Sequence, residues 1–158
     1  MSNDIGSRGE SIFGMLVSRY FAPHGSLFKP IFLGEKYPTV DFYVDLLSYP
    51  HKKGFFFASI KTTTQGYTAD KAKLKIYVSK EELSELSKFP VPVYLFGIDA
   101  TEEKGYFMCA NDMDTSKNLN GLSVKYPMDK THIIELWEEV KQYWETNRSI
   151  YTFTSKFK

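Results

Sequence analysis

An α/β domain built around a mixed sheet is the fold this sequence predicts, and three observations predict it. A helical apolar period stands near the N-terminus, three strand-like runs follow it, and a second helix leads into an uninterrupted apolar strand. The 158 residues suit one domain spanning 1–158, long enough to bury most of the surface its unfolded chain exposes. Apolar residues make up 42% and charged residues 25%, as in ordinary globular proteins, while the 16% aromatic share favours strands and a bulky core.

The elements follow in order. Ser7 and Glu10 have the spacing of a capping box, so a helix is expected to begin there. Ile12, Phe13, Leu16, Val17, Tyr20 and Phe21 recur at helical spacing until Pro23 stops the helix. Lys29–Lys36 reads as a first strand with Pro30 near its start. Thr39–Leu47 reads as a second, with Val40, Phe42, Val44 and Leu46 on one face and Asp41, Tyr43 and Asp45 on the other. Ser48–Gly54 turns the chain, and Gly54–Thr62 forms the third strand.

A polar loop, Thr63–Asp70, leads to Lys71–Val78, whose alternation of Lys with apolar residues suits an edge strand. Ser79 and Glu82 form a second capping box, with Val78 and Leu83 placed as a hydrophobic staple, and the helix they open ends at Pro90. Val91–Ile98 is apolar throughout, as expected of an interior strand covered on both faces. Gly105–Ala110 is a further strand, Leu122–Tyr126 a short candidate strand, and Thr131–Thr146 an amphipathic helix burying Ile133, Leu136, Trp137, Val140 and Trp144. The two tryptophans, seven residues apart on that helix, read as core and not as a stacking platform.

Composition narrows the function classes. A net charge of +1 supplies no global basic field, so a nucleic-acid role has to come from a local patch. The single cysteine, Cys109, excludes a disulfide framework and a cysteine-cluster zinc site, and reads as a packed small side chain. His24, His51 and His132 are too scattered for a histidine-rich metal centre. No apolar run approaches the ~18 residues of a membrane span and no signal-peptide pattern opens the chain, so a soluble, cytoplasmic protein without a membrane partner is expected.

The residues that packing explains poorly are Ser59-Ile60-Lys61 at the end of the third strand. Ser59 and Lys61 share a face, and carboxylates stand on the strand before them. Lysine behind carboxylates at a strand end reads as part of a phosphate and metal site, against the alternative of an ordinary surface lysine. Asp41 and Asp45 read either as site acids or as the solvated face of an edge strand. They lie about 13 Å apart along the strand, so only one can ligate a given ion. Lys71, Lys73 and Lys75 read as an edge-strand face that discourages aggregation or as a strip contacting phosphates. Gln65 and Tyr67 in the preceding loop are candidate nucleic-acid contacts.

Taken together, Gly6–Glu10, Asp41–Asp45 and Ser59–Thr64, with the later segments Pro90–Asp99 and Lys104–Phe107, resemble the PD-(D/E)XK nuclease superfamily. The likeness is closer to an uncharacterised prokaryotic branch with a Gln-x-Lys type of third strand, and it covers roughly residues 6–110. The resemblance implies a restriction-endonuclease-like core in α-β-β-β-α-β order, with an added hairpin strand and a C-terminal helix. It implies metal-dependent hydrolysis of phosphodiester bonds with Mg²⁺ or Mn²⁺, and nucleic acid as partner, DNA ahead of RNA. Asp45, Asp41, Glu10 and the Ile60 carbonyl would then be metal ligands, with Asp45 ranked before Asp41, and Lys61 would orient water or offset charge in the transition state. Glu10 has a capping role as its alternative.

One position departs from the pattern. Ser59 stands where the family has Glu or Gln, and a serine is shorter and neutral. Either Ser59 takes part through a water while Glu10 and Asp45 carry the charge, or catalysis is lost and the fold serves as a module binding nucleic acid or a protein partner. A homodimer is equally open.

Overall fold

The computed structural model describes residues 2–49, 53–150 and 153–157. The chain begins with α1 (Ser2–Val17), followed by a small hairpin of β1 (Tyr20–Phe21) and β2 (Gly25–Ser26). β3 (Phe28–Phe32), β4 (Phe42–Leu46) and β5 (Phe55–Thr63) come next, then β6 (Lys73–Val78), α2 (Lys80–Ser87), β7 (Val93–Asp99), β8 (Lys104–Cys109), β9 (Leu119–Ser123) and α3 (Lys130–Ile150).

The main sheet has the order β3-β4-β5-β7-β8. β3, β4 and β5 pair antiparallel, β5 and β7 run parallel, and β8 returns antiparallel to β7. The expected α/β class with a mixed sheet and flanking helices is therefore what the chain adopts. β7 is buried along its whole length, as its unbroken apolar run requires.

Each face of the sheet has its own cover. On one, Ile12, Phe13, Leu16 and Val17 of α1 and Ile133, Leu136 and Val140 of α3 pack on Phe42, Val44, Phe56, Ala58, Phe96 and Ile98. Phe13 sits edge-on to Phe96 with ring centroids 4.7 Å apart. Trp137 and Trp144 pack against this core, and their indole N–H groups donate to the carbonyls of Leu47 (2.9 Å) and Phe55 (2.8 Å). On the other face lie α2 and a two-stranded ribbon of β6 and β9, which bury Leu74, Ile76, Val78, Leu83 and Leu122 over Leu95.

Four sequence expectations need correction. α1 begins at Ser2, so Ser7 and Glu10 lie inside the helix and form no cap there. It ends at Val17, and Tyr20–Phe21 turns into β1 instead of continuing the helix. β6 joins no edge of the main sheet; it pairs with β9 above it, because alternation predicts a half-buried strand without naming its partner. β9 itself lies at Leu119–Ser123, a few residues before the segment expected. The predicted turn Ser48–Gly54 falls partly on residues 50–52, and His51 with it, outside the described residues.

α2 starts as its sequence dictates: the Ser79 hydroxyl accepts from the Glu82 amide at 3.1 Å. Among the described residues, no helix is long and apolar enough to cross a membrane.

Candidate functional site

β5 is longer than its neighbour β4, and this difference creates the site. The register of β4 on β5 runs from Asp45↔Phe55 to Phe42↔Ala58, leaving Ile60 to Thr63 beyond the last strand pair on that side. An unpaired buried amide is costly, so the exposed edge needs a partner. The Asp41 carboxylate supplies one: Oδ2 accepts from the Ile60 amide at 2.7 Å. N–H and C=O of one strand residue point to the same side, so the Ile60 carbonyl faces this carboxylate region too.

Glu10 reaches the same end of the sheet from α1. Gly9 allows it, because a Cβ there would lie 2.7 Å from both Cβ and Cγ2 of Thr62 on β5. The helix thus approaches the strand more closely than any other residue at position 9 would permit. Burial raises the Glu10 pKa above the ordinary carboxylate range, and the negative charges of Asp41 and Glu35 raise it further. Burial likewise raises that of Asp41; the Ile60 amide and Lys61 pull it back, while Glu82 pushes it up. Glu10, Asp41, Lys61, Glu82 and Glu35 therefore share one electrostatic neighbourhood.

Lys61 lies on the face of β5 covered by α2. Its Nζ is 2.7 Å from Oε1 of Glu82, in the first turn of that helix, and both side chains are partly buried. A helix that follows β5 and precedes a parallel strand begins near the C-terminal end of β5, which explains the meeting. Ligand sites in such sheets gather at the same end of the strands.

Of the two acids expected on the second strand, Asp41, just before β4, is the one whose charge acts on Glu10 and feels Lys61. Asp45 sits at the opposite end, in register with Lys29 and Phe55, where it raises the pKa of Tyr43 behind the effect of that phenol's burial. Among the described residues, its buried Oδ1 makes no hydrogen bond. The sequence ranking of Asp45 before Asp41 is thus reversed by the geometry. Ser59 is 1% exposed and packed between the layers, too short and too buried to reach the carboxylates at the strand's end.

Two acids escaped the sequence reading. Glu82 was accounted for by its capping box, and Ser79 does cap the helix, but the Glu82 carboxylate turns to Lys61. Glu35 lies in the turn after β3, and only the folded chain brings its charge to Glu10.

The basic row divides. Lys75, with Lys61, lines a cleft of about 500 Å³ between the loop after β5 and the β6–β9 ribbon; Gln65 and Tyr77 border it as well. Lys73 is exposed with its stem over Gly121, and Lys71 lies in a turn at φ 59°, before β6 begins. Tyr67 is committed elsewhere: its hydroxyl is 2.9 Å from that of Tyr106, and burial with the neighbouring Tyr106 and Asp99 raises its pKa far above the phenol range. Cys109, at the end of β8, is exposed and not the packed side chain expected, yet partial desolvation raises its thiol pKa, so it is not an activated nucleophile.

Among the described residues, no group of three or more His, Cys, Asp or Glu side chains is arranged to hold a metal ion by itself. The oxygen donors nearest this description are the Glu10 and Asp41 carboxylates, whose charges act on one another, and the Ile60 carbonyl on the side of the strand that Asp41 caps. This all-oxygen set suits a hard cation such as Mg²⁺, which keeps several waters and takes only one or two carboxylates from a protein. No protein-family model, curated protein or solved structure matches this chain.

Proposed function

We propose that this chain is a divalent-cation-dependent nuclease with a restriction-endonuclease-like core of the PD-(D/E)XK type. Its substrate is nucleic acid, DNA ahead of RNA, and its reaction is phosphodiester hydrolysis. One observation carries the reading: Glu10 of α1, Asp41 before β4 and Lys61 of β5 lie within electrostatic reach of one another at one end of a sheet laid out in the order α-β-β-β-α-β. The short hairpin and the ribbon strands are additions to that order.

Glu10, Asp41 and the Ile60 carbonyl would hold the ion. A Mg²⁺ or Mn²⁺ held there would supply charge to offset that of the phosphate and would acidify a water. Lys61 supplies a fixed cation that orients the attacking water or offsets charge growing on the phosphate oxygens. Glu82 fixes the lysine ammonium through the 2.7 Å ion pair. It also returns to the site a carboxylate that Ser59 lacks, from a helix instead of the strand.

Incubation of the purified protein with DNA and RNA should give cleavage with Mg²⁺ or Mn²⁺, and Lys61→Ala should abolish it while the circular dichroism stays unchanged. Calorimetric titration of Mn²⁺ should yield binding heat in the wild type and in Asp45→Ala, and none in Asp41→Ala. Absence of cleavage of either nucleic acid with either ion sinks the proposal.

Ser59 favours a second reading. A buried serine in place of the family's Glu or Gln, beside a lysine already ion-paired, suits a catalytically silent module that binds nucleic acid or a protein partner. Salt-sensitive nucleic-acid binding without turnover would identify it.

A further inference from the structure

The cleft beside Lys61 has a wall that the site chemistry leaves unused. The outward row of β6 is Lys73, Lys75 and Tyr77, two cations and an aromatic ring with no acid between them. Tyr77 is 57% exposed and joins none of the ring pairs among the described residues. Other aromatic side chains, Tyr20 and Phe32 among them, are comparably exposed on strands, but Tyr77 is the exposed ring that borders this cleft. The register of β6 on β9 shifts between Leu74 and Tyr77, an irregularity of the kind that re-aims side chains. Lys75 lies within that shift and Tyr77 closes it, and both border the cleft that Lys61 also borders.

We propose that this cleft binds an unpaired nucleic-acid strand, its backbone held between Lys61 and Lys75 and a base stacked on Tyr77. The inference rests on reading the neighbouring site as one for phosphodiesters, and it specifies the class of substrate that site takes. Three features of the cleft favour a single strand over a duplex. Its volume of about 500 Å³ is that of a small-ligand pocket, sized for a nucleotide unit. A duplex keeps its bases stacked inside and offers such a concavity only its backbone, leaving the tyrosine without a partner. A single strand presents base and phosphate together, and a basic groove with an aromatic platform is how proteins bind it without sequence preference.

The polar lining completes the fit. Asn120 stands opposite Tyr77 in the ribbon, where its amide can meet a base edge. The acids nearby are already engaged: Glu82 pairs with Lys61, and Asp70 accepts from the Thr68 hydroxyl and the Ala72 amide. The face offered to the strand is therefore polar, with Lys75, which forms no ion pair among the described residues, as its unshared cation beside the Glu82-paired Lys61.

Fluorescence anisotropy in EDTA tests the inference apart from hydrolysis, using labelled oligo(dT), oligo(rU) and a duplex of equal length. The single strands should bind more tightly than the duplex, the dT and rU arms deciding between DNA and RNA. Tyr77→Ala should weaken single-strand binding roughly 5- to 100-fold, the range expected for loss of one stacked base, and Tyr77→Phe should restore it. Lys75→Ala should lower affinity for every sequence and reduce the salt slope by about one charge. Duplex binding as tight as single-strand binding, or unchanged affinity in Tyr77→Ala, overturns the inference. Single-strand binding of this pattern without cleavage in Mg²⁺ would overturn the nuclease reading and leave the groove standing; cleavage unaffected by Tyr77→Ala and Lys75→Ala would do the reverse.

Discussion

Asp41 and Glu10 hold charge that the folded chain would sooner neutralise. Both have pKa values raised mainly by burial, so their protonated forms are favoured in the fold. Where the folded pKa exceeds the unfolded one, the stabilisation is present below the unfolded value and is lost as pH rises through the folded value. At neutral pH, ionised Glu10 is therefore a cost. Glu10→Gln should melt above wild type at pH 7, with the gap closing toward about pH 4, where carboxylates of both states protonate. Added Mg²⁺ should raise the wild-type Tm at pH 7 and leave Glu10→Gln less affected. A lower Tm for Glu10→Gln at pH 7, measured by scanning calorimetry, would mean that the acid is satisfied without a cation. The same residues mark how far sequence reading reaches. Strand periodicity put Asp41 and Asp45 on one face and their spacing allowed only one in the site. Choosing between them depends on which end of the sheet receives α1, a long-range fact with no local signature. Glu82 was hidden for another reason: a capping box accounts for a glutamate so well that no second role is sought.

At the scale of elements, α1 is positioned by one missing side chain. Gly9 lets the helix lie against Thr62, and rotating Thr62 gives no relief because its own Cβ is among the atoms a new methyl would strike. Gly9→Ala should push α1 off the end of β5, at a cost of about 1–3 kcal/mol for overpacking. Because Glu10 rides on the same turn, activity should fall further than stability does. Parallel measurement of Tm and cleavage rate checks this, and a loss of stability with full activity would separate Glu10 from the site. α2 and β7 were legible because capping and an unbroken apolar run are local. The β6–β9 ribbon was not: its alternation of lysine with apolar residues is the same for an edge strand and for a layer stacked on the sheet. What decides is Gly97 on β7, where a Cβ would meet Leu122 at 2.7 Å and Leu74 at 3.1 Å, so the bare backbone there admits the ribbon.

Over the whole molecule, the candidate site draws on α1, the approach to β4, the end of β5 and the start of α2, segments far apart in sequence and joined only by the sheet. The α/β class followed from the succession of periodicities, which each segment carries in itself. The convergence of Glu10, Glu35, Asp41, Lys61 and Glu82 did not, since it depends on strand order and on β5 outrunning β4. That overhang also equips the protein with an internal probe. The Ile60 amide donates to a carboxylate where a strand amide would ordinarily meet a carbonyl, and such charge-assisted bonds respond to the state of the acceptor. In ¹H–¹⁵N NMR spectra, the Ile60 resonance should track the titration of Asp41, move when Mg²⁺ is added and broaden with paramagnetic Mn²⁺. A resonance indifferent to both ions would locate cation binding away from Asp41. One backbone proton thus reports the ionic occupancy of the site, without substrate and without turnover.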